Sequence, residues 1–208
     1  MKVPLTQIRF LYRARDQFGK KVGVVDGEQS WTYEQYFQRC HSLANLLLSW
    51  RLDPSSRVAF LSYNTHHLLE AYYGVVLAHC VFLPLNIRLS AQDFRFILND
   101  CEAQCLFFHP DFAPIVEEIR PHLKTVKQFV LLESGIHPHW SETEVYDQLL
   151  DQQPDEVDFD VFQVNEDTVA ELFYTSGTTD QAKGVMLTHR NLYLHALEAA
   201  IGVGIKES

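Results

Sequence analysis

The spacing of apolar positions changes repeatedly along the chain. Leu5, Ile8, Leu11 and Tyr12 recur at helical spacing over residues 4–18. Val22, Val24 and Val25, then Asp26-Gly27, then Trp31 predict a hairpin, because Asp-Gly tolerates the positive φ of a tight turn. Thr32 and Gln35 make a capping-box pattern ahead of Tyr36, Leu43, Leu46, Leu47 and Trp50, which predicts a helix over 33–50. Alternation follows: strand 57–61, helix 65–78, strand 81–84, a helix capped by Ser90 and Asp93 to about 99, strand 105–108, helix 112–120 and strand 127–132. Strands and helices in this rhythm predict an α/β fold with a mostly parallel sheet covered on both faces. Ser141 and Glu144 form a further capping box ahead of a short helix ending near Leu150.

Composition narrows the field. The 208 residues are 47% hydrophobic and 12% aromatic, which excludes a disordered chain, a collagen-like fibre and a disulfide-stapled miniprotein. The net charge is -10, from 17 Lys and Arg against 27 Asp and Glu, so neither nucleic acid nor an anionic membrane finds a basic face. A small-molecule substrate is expected. No apolar run of signal-peptide length precedes Arg9, and the apolar stretch 68–85 is broken by Glu70, His79 and Pro84, so no transmembrane segment is expected. The cytoplasm is the expected location. Cys40, Cys80, Cys101 and Cys105 sit in apolar stretches and read as core thiols. His66-His67 and His137-Pro138-His139 look like metal-binding pairs, but they read as exposed or capping residues. Between Gln128 and Ala182 there are thirteen acids and no Lys or Arg, which reads as a solvated connection over the surface.

The chemistry concentrates near the end. An apolar strand from Val169 to Tyr174 runs into Thr175-Ser176-Gly177-Thr178-Thr179-Asp180-Gln181-Ala182-Lys183-Gly184, and then a second short strand (185–188) and a helical pattern over 189–200 follow. Four hydroxyls, two glycines and a lysine beside a buried strand suit a polyphosphate: exposed backbone N–H groups, hydroxyl donors and a cation. A Walker A loop is excluded, because Gly184 rather than Ser or Thr follows Lys183 and a strand rather than a helix continues from it.

This loop, continuing through Val185, Met186, Leu187, Thr188, His189, Arg190, Asn191 and Leu192, closely resembles the signature loop of the AMP-forming acyl-CoA synthetases of the adenylate-forming superfamily. Weaker likenesses lie upstream in the family's order: Trp31-Thr32-Tyr33-Glu34-Gln35, the stretch from Ala78 through Pro84, Asn86 and Arg88 to Ser90, and the stretch from Asn99 and Asp100 through Ala103 to Phe107. The resemblance implies that the chain is the incomplete N-terminal part of the large domain, divided at 1–55, 56–132, 133–168 and 169–208, without the C-terminal mobile domain. It implies a two-step ligase reaction on a carboxylate, a fatty acid by the wording around Pro84 to Ser90, using ATP, Mg2+ and coenzyme A. In that scheme Thr175, Ser176, Gly177, Thr178, Thr179, Lys183 and Gly184 hold the phosphates, and Thr175 lies near the magnesium ion. The segment from Asn86 to Ser90 is taken as structural.

Two departures bear on affinity. Asp180 and Ala182 stand where the family usually has glycine and proline. A carboxylate about 4 Å from a phosphate charge would cost on the order of 4 kcal/mol at an effective dielectric of about 20, so Asp180 is expected to face outward. Loss of the proline loosens the free loop by about 0.4–1 kcal/mol. The family's adenine pocket, magnesium-binding glutamate, ribose-binding aspartate and adenylation lysine have no counterparts after Asn191, so these residues alone are expected to be inactive and to self-associate through an uncovered apolar face. Alternatives are an aryl-CoA ligase, an amino-acid adenylation module, or a non-catalytic remnant.

Overall fold

A computed structural model describes residues 3–134, 145–175 and 182–204. Helix α1 (Ile8–Phe18) leads into an antiparallel hairpin of β1 (Val22–Asp26) and β2 (Gln29–Thr32), turned by Gly27 at φ +59°. Thr32 then caps α2 (Tyr33–Ser49). Its hydroxyl accepts from the Gln35 N–H, and the Gln35 side chain accepts from the Thr32 N–H.

The alternating region folds as its pattern predicts: β3 (Arg57–Leu61), α3 (His66–Leu77), β4 (Val81–Pro84), α4 (Ala91–Asp100), β5 (Cys105–Phe108), α5 (Ala113–Ile119) and β6 (Gln128–Leu131). Ser90 and Asp93 close a second capping box on α4. The helix predicted over 112–120 is shorter, because Pro110 starts a 3-10 turn before α5 begins. Helix α6 (Tyr146–Leu150) follows, while the proposed Ser141–Glu144 cap lies outside the described residues. The chain ends in β7 (Val169–Thr175), β8 (Lys183–Thr188) and α7 (His189–Gly202).

Six strands form one sheet in the order β6-β5-β3-β4-β7-β8. Every pairing is parallel except the last, where β8 returns antiparallel to β7 along the edge. Alternate side chains of the central strands feed two cores. Val58, Phe60, Phe82 and Phe107 meet α1, α2, α3 and α6 on one face. Ala59, Leu61, Leu83, Leu106 and Phe108 meet α4 and α5 on the other. The two-sided burial explains why these strands read as continuous apolar runs. Helices α2 and α3 approach closely at Gly74, where an added Cβ would lie 2.8 Å from the Cys40 carbonyl oxygen.

All four cysteines are buried free thiols, and burial pushes Cys80 and Cys105 up to about 12. The acidic connection lies over α2 with Asp155, Glu156, Asp158 and Asp160 exposed. Its backbone is fastened there by Asn45 Nδ2, which donates to the carbonyls of Pro154 (2.8 Å) and Glu156 (2.9 Å), and by His41 Nδ1, which accepts from the Val157 N–H (2.9 Å). No helix among the described residues is long and apolar enough to cross a membrane.

Candidate functional site: the hairpin mouth of β7 and β8

β7 carries its residues from the interior to the C-terminal end of the sheet. Ala170, Glu171 and Leu172 are buried, Tyr174 is half-buried and Thr175 is exposed. Across the antiparallel pair, Thr175 stands opposite Lys183 and Tyr174 opposite Gly184. A hydroxyl and an ammonium-bearing side chain, eight positions apart in sequence, therefore face each other at the mouth of the hairpin. Both are exposed to solvent. Ser176, Gly177, Thr178 and Thr179, together with Asp180, lie outside the described residues.

Pairing within β8 gives Gly184 a packing reason. A Cβ there would come within 3.1 Å of Leu172 Cδ1 and 3.4 Å of the Tyr174 ring. The Tyr174 hydroxyl donates to Asp100 at the end of α4, tying the hairpin to the helical layer. Burial, with help from that carboxylate, pushes the Tyr174 hydroxyl above the usual phenol range. Ala182 packs partly against the core.

The hairpin's exit is equally fixed. Thr188 Oγ1 accepts from the Asn191 N–H (3.2 Å) and Asn191 Oδ1 from the Thr188 N–H (3.0 Å), a capping box that starts α7. His189 has the structural role its position suggested: Nδ1 lies 2.9 Å from the Thr6 hydroxyl, and burial lowers the ring to about 4. Glu166 reinforces this anchor by accepting from the Leu5 N–H (2.7 Å) and from Arg190 (2.8 Å).

Beside the mouth, the ends of β3, β4 and β7 enclose an open hollow of about 440 Å³, lined in part by Ser62, Tyr63, Tyr72, Asn86, Arg88 and Tyr174. The buried Ser62 hydroxyl has no hydrogen-bond partner among the described atoms. Sequence reasoning assigned the Asn86-to-Ser90 segment to structure alone; Asn86 and Arg88 line this hollow next to the hairpin. Both follow the C-terminal end of β4, the side on which open α/β sheets place their ligands.

The histidine pair needs correction. His66 and His67 are neither exposed nor merely capping: they are 7% and 1% exposed, at the start of α3. The acids beside them come from far along the chain. Asp26 accepts from His66 Nδ1 at 2.7 Å, and Asp147 reaches the pair from α6.

A sequence profile of the family described as "AMP-binding enzyme" matches residues 11–206. The chain is 40% identical over 178 residues to a 3-methylmercaptopropionyl-CoA ligase of Ruegeria pomeroyi, covering 84% of this chain and 33% of that protein. It is 36% identical over 196 residues to a long-chain-fatty-acid–CoA ligase of Thermus thermophilus, covering 92% of this chain and 35% of that one. The chain thus spans about a third of the length of these relatives. Its fold is that of the anthranilate CoA ligase AuaEII solved with anthranoyl-AMP, with a TM-score of 0.87 at 21% identity, over 95% of this chain and 37% of that one.

Proposed function

Because the chain belongs to the AMP-binding enzyme family, in which its relatives are acyl-CoA ligases, we propose that it is the N-terminal part of an ATP-dependent carboxylate–CoA ligase acting on fatty acids. The observation that carries the reading is the pairing of Thr175 with Lys183 at the mouth of the hairpin. It sets a hydroxyl and a cation on both sides of the hydroxyl-rich residues 176–179, the donor set that a triphosphate tail requires.

In this reading Thr175, Ser176, Gly177, Thr178, Thr179, Lys183 and Gly184 hold the β- and γ-phosphates while a carboxylate attacks the α-phosphate. Charge accumulates on the departing pyrophosphate, and fixed donors with a lysine offset it. The exposed Thr175 hydroxyl is a hard oxygen donor at the strand end, which fits Mg2+. When bound, that ion neutralises phosphate charge. Coenzyme A then accepts the acyl group as a thioester. The buried free thiols favour a reducing compartment, the cytoplasm.

The long-chain fatty-acid relative supports the substrate class, and the 3-methylmercaptopropionyl and anthranilate ligases mark the alternatives. Because the chain spans about a third of such proteins, it is expected to make no acyl-adenylate by itself. The test is carboxylate-dependent exchange of labelled pyrophosphate into ATP. The 208-residue chain should give no exchange above blank. A protein continued to the length of the relatives should exchange with fatty acids ahead of aryl acids. Exchange by the short chain, or aryl preference in the long one, would overturn the respective part.

A further inference from the structure

We propose that His66, His67 and Asp147 form a binding site for a divalent cation of the zinc class, apart from the nucleotide-binding hairpin. One ligand atom from each of the three lies within 4.8 Å of the others. A tetrahedral zinc ion with bonds of about 2.0–2.1 Å separates its ligand atoms by about 3.3 Å, so small rotations of the side chains close the set. The two imidazoles are consecutive and lie side by side, tilted 37° to one another with ring centroids 3.8 Å apart. Trp31 stacks on His66 at 4.3 Å, and Tyr146 meets His67 edge-on at 5.0 Å, so both rings are held in place.

The hydrogen bonds prepare these groups as ligands. Asp26 can only accept, so His66 Nδ1 carries the proton in their 2.7 Å contact and Nε2 keeps its lone pair. Asp26 also accepts from the His66 backbone N–H at 3.0 Å, which fixes the carboxylate. A carboxylate behind an imidazole is the usual outer partner of a histidine ligand. In His67, Nδ1 lies 3.4 Å from the Thr65 hydroxyl, while Nε2 is buried with no hydrogen-bond partner. A buried ring nitrogen without a partner is costly, and a metal ion satisfies it. Asp147 Oδ1 accepts from Arg39 at 2.7 Å, which leaves its second oxygen for the ion.

The surroundings favour a cation. Asp26, Glu28, Glu133 and Asp147 line the same hollow of about 470 Å³ as the two histidines. Arg39, which pairs with Asp147, is already paired with the buried Glu70. Two nitrogens and a carboxylate oxygen suit Zn2+ or Co2+ better than Mg2+, and open positions remain for water or a further carboxylate.

The test is titration of the metal-free 208-residue chain with CoCl2 and with ZnCl2 near neutral pH, read by visible absorption and calorimetry. One equivalent of either ion should bind. Bound Co2+ should show the intense ligand-field bands of a four- or five-coordinate ion. Asp147→Asn and His67→Gln should each weaken binding by about tenfold or more, and Asp26→Asn by about 10- to 100-fold. A paired His137→Ala, His139→Ala variant should bind as the parent does. If His67→Gln fails to fold, the half-exposed Asp147→Asn decides the matter. Absence of stoichiometric uptake, uptake unchanged in Asp147→Asn, or uptake lost in the His137, His139 variant would each overturn the site.

Discussion

Glu171 lies midway along β7, opposite Leu187 of β8 and beside Phe82 of β4, and it is 4% exposed. Burial alone drives its carboxyl up from 4.5 to about 7. The native state therefore binds a proton that the unfolded state has released, across the interval between those values. The resulting stability is fully present below about pH 4.5 and is lost as pH rises through 7. At about 1.4 kcal/mol per unit, the loss approaches 3 kcal/mol above pH 8, a sizeable part of an ordinary domain's stability. Glu171→Gln keeps the shape and removes the titration. Urea unfolding at closely spaced pH values from about 5 to 9 reads the difference directly. The parent's stability relative to the variant should decline steadily as pH rises towards 7 and level off above about 8. A constant difference between the two proteins across that range would refute the reasoning, because it would mean that water reaches the carboxylate.

Three further outcomes follow from the same packing. His41 and His189 are buried and lowered to about 4 from 6.5, so each contributes stability that is present above 6.5 and lost as pH falls towards 4, up to about 3 kcal/mol apiece. His189→Gln should therefore shift the acid unfolding midpoint downward, measured by circular dichroism. Gly74→Ala places a methyl 2.8 Å from the Cys40 carbonyl and against Leu43, and should cost about 1–3 kcal/mol in thermal or urea unfolding. Val185 and Met186 on the edge strand, with Leu194, Leu197 and Ile201 on α7, leave apolar surface exposed. Concentration-dependent association is expected in light scattering, and Met186→Glu should suppress it.

The elements were legible wherever a local signal governs them. The Thr32–Gln35 and Ser90–Asp93 boxes start their helices at the expected residues, and the Asp26-Gly27 turn makes its hairpin. Strands buried on both faces stand out as apolar runs. Strand order was not legible, because β3 pairs with β4 and β5, and β4 with β7, through contacts that only the assembled sheet creates. The antiparallel return of β8 was likewise hidden, and with it the placing of Lys183 opposite Thr175 rather than in a free loop. His66 and His67 were misjudged for the same physical reason. Their acids, Asp26 and Asp147, come from β1 and α6, so no spacing along α3 could reveal them.

The central claim is that the mouth of the β7–β8 hairpin grips a triphosphate. It is tested most directly by titrating ATP into the chain and into its Lys183→Ala variant, followed by calorimetry. A charge-assisted contact to phosphate is worth about 1.5–3 kcal/mol, so the variant should bind about 10- to 100-fold more weakly. Equal, measurable affinity in the two proteins would contradict the account.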